Sequence, residues 1–368
     1  MFIEKIEKDN LLNPLQKIIG IVDRKQASPI LANVLIEKTE SNIRFIATDL
    51  EIQISTQFTD EYQTSPDTAI TVAAKKLHDI LKVVPEGSKV TLDINESRLL
   101  VKVNKSKFTL QTLPAQDFPK VLENLEQAIS IQIEQGKLKK LFAMVQYAMA
   151  QQDIRYYLKG VLLVVDGGFL KLIATDGHRL AYVVTKLDQE YPKSEIILPR
   201  KTVNELIKLL AETDEKIIFE LAENQVRMTF SDIILVSKVI DGKFPDYERV
   251  IPNYTNEITL NRIEVLQSLQ RAAILSNEQF RGVRIVLSEN NLRIISNNSE
   301  QEEAQEDMEI DYQGPALDVG FNVNYLIDGL NNAATQTVIF SFGDANSSIL
   351  ITIPGNEDFK YVVMPMRI

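Results

Sequence analysis

Cysteine is absent from this chain of 368 residues, and histidine occurs only twice. The first absence excludes disulfides, thiolate metal sites and a cysteine nucleophile. The second leaves little for imidazole chemistry: His78 and His178 stand far apart, with no H-E-x-x-H pattern or carboxylate-flanked histidine pair to suggest a metal. A G-x-S-x-G elbow and a G-x-x-x-x-G-K-[ST] phosphate loop are also missing, so neither that type of serine hydrolase nor an ATP-driven machine is indicated. No apolar run approaches the ~18 residues of a membrane span. The opening "MFIEKIEKDN" is charged from its fourth residue and lacks the apolar stretch of a signal peptide. These features predict a cytoplasmic chain with no cofactor and no membrane partner.

What is present fits a globular protein, with 45% hydrophobic and 25% charged residues. The length exceeds one ordinary core, so two or three domains are expected. A net charge of −11 taken alone argues against a nucleic-acid partner.

Self-similarity is the strongest signal. "IATD" at 46–49 recurs at 173–176, and "LRIISNN" at 292–298 has the same strand-then-polar-turn form. "SPILANVLIE" (28–37), "YYLKGVLLVV" (156–165) and "QFRGVRIVLS" (279–288) precede these turns, and "TLPAQDFP" (112–119) returns as "VIDGKFPD" (239–246). Each copy carries two helices. The later one has an i, i+3, i+4, i+7 apolar stripe: Leu77, Ile80, Leu81, Val84; then Val203, Leu206, Ile207, Leu210; then Val323, Leu326, Ile327, Leu330. The helical segments are bounded as 9–22, 73–82, 136–149, 199–210, 261–275 and 318–332. Between them apolar and polar residues alternate, with turn signals such as Asp166-Gly167-Gly168, which predicts antiparallel hairpins. The fold class is therefore α+β: three repeated domains of ~120 residues, 1–125, 126–252 and 253–368, each an antiparallel sheet with two helices on one face.

The helices also sort charge. On an ideal helix Lys75 and Lys82 point away from the apolar stripe, and Lys201 and Lys208 stand at the matching positions of the second copy. The third copy has Phe321 and Asp328 instead. The six helical segments together are net basic, so the acidic total conceals a basic face, which would draw a polyanion to one side. A hydrolase centred on Asp176 and His178 and a repeat scaffold that never touches DNA are rival readings.

The three copies, together with "ATDGHRLA", "QQDIRYYLKG", "DGKFPDYERV", "RAAILSNEQFRGVR", "NNSEQEEA" and the terminal "YVVMPMRI", closely resemble the bacterial beta sliding clamp family, the processivity subunits of DNA polymerase III. Ala73 departs from the proline expected before the basic pair. The resemblance implies the DNA clamp fold, a head-to-tail homodimer whose helices line a ring, and no enzymatic activity. Geometry agrees: helices ~10 Å thick and ~10 Å apart close a ring with a ~9 Å hole when six stand side by side, and ~28 Å when twelve do. A duplex is roughly 20 Å across, so two chains are needed.

The resemblance further implies three sets of residues. Sequence-independent contacts to double-stranded DNA fall to Arg24, Lys25, Lys75, Lys82, Gln152, Arg155, Tyr156, Tyr157, Lys201 and Lys208. A cleft for linear motifs of the polymerase III alpha subunit, clamp-loader subunits, other polymerases and repair proteins falls to Leu158, Thr175, Gly177, His178, Arg179, Leu180, Pro245, Arg249 and Val250, closed by Val362, Met364, Pro365, Met366 and Arg367. Arginines there are expected to fix the direction of the motif. The dimer interface falls to Lys76, Lys107, Phe108, Leu110, Ile274, Leu275, Glu300, Glu302 and Glu303.

Overall fold

The computed structural model describes residues 2–22, 28–39, 42–59 and 67–368. Arg24 and Lys25 lie outside the described residues. Two compact units result: Met1–Gly136 with Asn204–Val239, and Lys137–Val203 with Ile240–Ile368. The second repeat thus contributes to both.

Six α-helices are described: α1 (Lys8–Ile18), α2 (Ala74–Val83), α3 (Gln135–Val145), α4 (Arg200–Leu209), α5 (Arg262–Ile274) and α6 (Val323–Asn332). The apolar stripe of each second helix is buried, with Leu77, Leu81, Val203, Leu206, Val323, Leu326 and Leu330 fully shielded. One isoleucine of each stripe, Ile80, Ile207 or Ile327, is half-buried. A second regularity joins each helix pair. The first residue of the first helix reaches the end of the second: Lys8 Nζ donates to the Val84 carbonyl at 3.3 Å, and Arg262 Nη1 to the Leu330 carbonyl at 3.0 Å. In the second repeat Gln135 Oε1 accepts from the Ala211 N–H at 3.2 Å. The last turn of a helix leaves carbonyls unpaired and carries partial negative charge, so a cation is favoured there.

Two local expectations need correction. The segment 318–332 begins as a strand, Leu317–Asn322, and turns helical only at Val323, where the Asn322 side chain accepts from the Asn324 N–H at 2.9 Å. Phe321 is therefore a core residue of a strand and not a helix-face position. Asp166-Gly167-Gly168 is no hairpin turn: one strand, Gly160–Thr175, runs through it. Its pairing with Arg179–Pro199 shifts register on both sides of Gly167, whose φ is +56. The extra residues lie on the partner strand, and glycine supplies the left-handed backbone opposite them that lets a long strand bend without ending.

Among the described residues, twelve strands of the first unit form one sheet, and the second unit has sheets of six and four. The junctions between repeats share one plan. The strand after the first IATD turn, Ile52–Thr59, pairs with Ile233–Lys238, the last strand of the second repeat. The strand after the second, from Arg179, pairs with Asn356–Val363, the last strand of the third. The corresponding strand of the third repeat, Glu303–Glu309, pairs on one side only, with Asn291–Asn297. The last strand of the first repeat, Ser106–Leu113, pairs with Arg98–Val103 throughout 106–111, but with Thr68–Ala73 only at Thr112 and Leu113. The reason is local: the chain turns into α2 after Ala73. Among the described residues both strands thus keep an open side, which is an unfilled pairing site.

Candidate functional site: an apolar pocket behind the repeated turn

The IATD stretch builds the same turn twice. Thr48 Oγ1 donates to the Ile52 carbonyl at 3.0 Å and accepts from the Leu50 N–H at 3.0 Å, while Asp49 Oδ1 accepts from the Glu51 and Ile52 N–H groups. In the second copy Thr175 Oγ1 donates to the Arg179 carbonyl at 2.6 Å and accepts from Gly177, and Asp176 Oδ1 accepts from His178 and Arg179. Asn298 serves in the third, accepting from Glu300 and Glu302. Short polar side chains that bond to backbone two to four residues ahead are what fix such turns. The motif is structural. The Asp176 carboxylate is used by these N–H groups and by Arg179 Nε at 3.0 Å, and among the described residues the exposed His178 ring makes no hydrogen bond to it. Among those residues there is also no group of three or more His, Asp or Glu that could hold a metal ion.

The two turns differ at their left-handed position, Leu50 with φ +77 and Gly177 with φ +88. Leucine is strained there and glycine is not. A Cβ on Gly177 would meet Arg155 Nη2 at 2.8 Å. Gly177→Ala is expected to lower stability by about 1–2 kcal/mol and to break the Arg155 Nη2 bond to the Asp176 carbonyl, 3.2 Å in the native chain. Leu50→Gly should instead raise stability slightly, by less than about 1 kcal/mol. Calorimetric melting of both variants checks the opposite signs.

Around the second turn lies a pocket of about 180 Å³ lined by Arg155, Leu158, Thr175, Gly177, Arg179, Leu180, Pro245, Tyr247, Val250, Val362 and Met364. Its floor is the top of a packed cluster in which Leu158 and Val362 are fully buried and Leu180 is 2% exposed. A floor made of core residues keeps its shape, so the pocket is preformed. Met364 is tied to this wall by its N–H, which donates to the His178 carbonyl at 2.8 Å. Tyr247 stands beside Tyr182, ring centroids 6.0 Å apart, and burial with the neighbouring Glu248 pushes its phenol up to about 12.

The structure gathers nine of the fourteen residues assigned to the cleft and leaves five off its lining. His178 contributes its carbonyl and not its ring. Arg249 is exposed and paired with Asp246 at 2.8 Å. Pro365 lies beyond Met364. Met366 and Arg367 border a different cavity of about 380 Å³ with Phe280, Ile368 and the 297–299 turn. The tail crosses there because the Met366 N–H donates to the Gly320 carbonyl at 2.7 Å, and Gly282 and Gly320 leave room for the Ile368 side chain.

Arginine's role also differs from expectation. Three of the N–H groups of Arg179 are spent inside the protein: Nε bonds Asp176, Nη1 bonds Asp328 Oδ2 at 2.6 Å and Nη2 bonds the Tyr147 carbonyl at 2.6 Å. Burial opposes its charge, but Tyr361, Asp328 and Asp176 hold its pKa above the usual value. Arg155 and Tyr247 are lining residues that sequence reasoning missed. Tyr247 was within reach, since it sits between Pro245 and Arg249. Arg155 was not, because only the fold brings it against Gly177.

Of the residues assigned to DNA, Lys82, Lys201, Lys208, Gln152, Arg155 and Tyr156 are exposed, and Lys75 and Tyr157 are half-buried. Lys208 is paired with Glu205 at 2.7 Å, and Arg155 with Asp153 at 2.8 Å. Of those assigned to the interface, Lys76, Lys107, Glu300, Glu302 and Glu303 are exposed, and Phe108 and Leu110 lie half-buried on one face of their strand. Ile274 is 75% exposed at the end of α5, with half-buried Leu275 as its cap.

Comparison with known proteins gives this arrangement a family. Models described as the N-terminal, central and C-terminal domains of the DNA polymerase III beta subunit match residues 1–123, 132–246 and 248–367. The beta sliding clamp of Pseudomonas aeruginosa is 43% identical over 367 residues, and that of Escherichia coli K12 is 39% identical over 364, with 99% of each chain covered in both cases. The crystal structure of the Pseudomonas aeruginosa DNA polymerase III subunit beta superposes with a TM-score of 0.96 at 42% identity, covering 99% of this chain and 100% of that one. A further sliding-clamp structure from that organism, bound to griselimycin, gives 0.94 at 42% identity, covering 99% of both chains. With all three domain models matched in order and this identity along the whole chain, the protein belongs to the DNA polymerase III beta subunit family, the bacterial beta sliding clamps.

Proposed function

We propose that this protein encircles duplex DNA as a head-to-tail homodimer and tethers the replicative polymerase, with domains 1–125, 126–252 and 253–368 acting as three like segments of each half-ring. The observation that carries the reading is the repeated junction. Twice the strand after the polar turn pairs with the last strand of the following repeat, and the third such strand, Glu303–Glu309, keeps that side open among the described residues. The matching open strand is Ser106–Leu113 of the first repeat. A second copy supplies it, and a heterologous contact that closes after two copies makes a ring. The charges agree, because "EAQEDME" at 303–309 is acidic while Lys76 and Lys107 stand by the other edge.

Topological linkage needs only weak, sequence-independent phosphate contacts, which leave the ring free to slide. Lys75, Lys82, Lys201 and Lys208 are the contributors read from the repeat register. Polymerase, clamp-loader and repair factors dock by apolar anchors of linear motifs in the pocket above Leu158, Leu180 and Val362. No catalytic step is assigned, and the cytoplasm is the proposed location. Changing the four lysines to glutamate should preserve the fold, because none of them belongs to the apolar stripes. Lifetime on nicked circular DNA should fall at least about tenfold, since each lost phosphate contact removes a released counterion. Unchanged retention with unchanged processivity would remove these lysines from the DNA path. Retention of the unaltered protein on circular DNA, with release on linearisation, separates a ring from a scaffold that never holds DNA.

A further inference from the structure

The best-bonded polar side chain in the second unit is Arg179, 8% exposed and lying where two repeats meet. Its guanidinium carbon stands 4.5 Å from the ring centre of Tyr325 and 5.7 Å from that of Tyr147. Asp328 of α6 and the Tyr147 carbonyl, just beyond α3, each accept one of its terminal N–H groups. Tyr361 extends the group: its ring packs edge-on to Tyr147 at 5.4 Å, and its hydroxyl donates to the Tyr325 carbonyl at 2.8 Å.

The pocket needs such a fixture. Its walls come from both repeats, Leu180 and Thr175 on one side and Val362 and Met364 on the other. The sheet layer joins them by the strand pairing from Arg179↔Val363 to Val183↔Phe359, by the Met364 N–H bond to the His178 carbonyl and by the packing of Leu350 and Val362 against Leu158, Leu162 and Leu180. A single sheet layer can twist and flex about that seam. A second tie, in the helix layer, removes this freedom. Arg179 supplies it from the seam's own first residue, as a planar fork with bonds from all three nitrogens and two aromatic rings close by.

We infer that Arg179, with Asp328 and Tyr325, is a clasp that sets the angle between the second and third repeats and so holds the partner pocket at its binding width. Arg179 acts here as a positioning residue. The same contact explains why the third copy has Asp328 where the other two carry lysine: the position is taken by the clasp. If the clasp is lost and the proper width is populated only about a tenth of the time, apparent affinity falls about tenfold. The inference rests on the pocket being the partner site.

Asp328 and Tyr325 do not line the pocket, so Asp328→Asn and Tyr325→Leu test the clasp without substituting a lining residue. The chain has no cysteine, so Lys140→Cys on α3 and Asn331→Cys on α6 accept spin labels at those two places alone. A fluorescein-labelled peptide with a Leu-Phe anchor is the affinity probe, and Met364→Ser is the wall control. Both clasp variants should weaken the peptide about tenfold and broaden the label distance distribution, and Asp328→Glu should restore both. Unchanged affinity or an unbroadened distance in Asp328→Asn and Tyr325→Leu overturns the clasp. If Met364→Ser weakens binding in that same experiment, the pocket reading stands and only the clasp falls. If Met364→Ser binds at full strength, the pocket reading itself falls.

Discussion

Removing residues 364–368 is expected to abolish binding of polymerase-derived peptides while the protein stays folded and dimeric. Met364 is part of the pocket wall, 45% exposed, and its N–H bond to the His178 carbonyl fixes the tail against the second repeat. The deletion therefore removes an apolar wall and widens a pocket of about 180 Å³ toward solvent. Loss of one buried anchor contact costs about 2 kcal/mol or more at an interface hot spot, a factor of roughly 30, and loss of the wall should exceed a hundredfold. Leu180→Ala, which hollows the floor, should weaken binding by a smaller factor. Met366→Ala should have little effect, because its side chain borders the other cavity. Fluorescence anisotropy gives the affinities and a sizing column the oligomer. Full-strength binding by the truncated protein would show that partners dock elsewhere.

The second large effect concerns ring closure. Ile274→Ala with Leu275→Ala should yield a folded protein that is monomeric at sub-micromolar concentration. Ile274 is 75% exposed in the single chain, so its side chain is available to a second copy. Phe108 and Leu110 share one face of the open strand Ser106–Leu113 and offer that cover. A two-fold ring contains the junction twice, so each substitution acts at both. At about 1–2 kcal/mol for each truncated side chain, the dimer dissociation constant should rise by about a thousandfold or more. Binding of single peptides should persist, since the pocket lies within one chain, while retention on circular DNA should vanish. Analytical ultracentrifugation over a dilution series reads the outcome. A double variant that stays dimeric at those concentrations would place the closing contacts elsewhere along the two open strands.

The threefold repeat, the helix stripes and the polar turn were all legible in the residues alone. Each is a local pattern: period 3.6 selects a buried helix face, and a Thr-Asp pair bonds to backbone within four residues, so neighbours along the chain suffice. The same is true of the apolar tail, and of the lysines that recur in register. Several features were decided by contacts between residues far apart in sequence. Gly167 lies within a strand and not a turn because the partner strand, Arg179–Pro199, continues past it. The helix expected from 318 begins at Val323 because Leu317–Asn322 is held in a sheet by Gly282–Ser288. Arg155 lines the pocket because Gly177 has no Cβ to exclude it. Arg179, indistinguishable in sequence from a ligand-binding arginine, is committed to Asp328 and two tyrosines instead. Periodicity tells which face of an element is covered. Which residue meets which across that face depends on the packing of the whole unit, and the open strands were visible only once every other strand had found its neighbour.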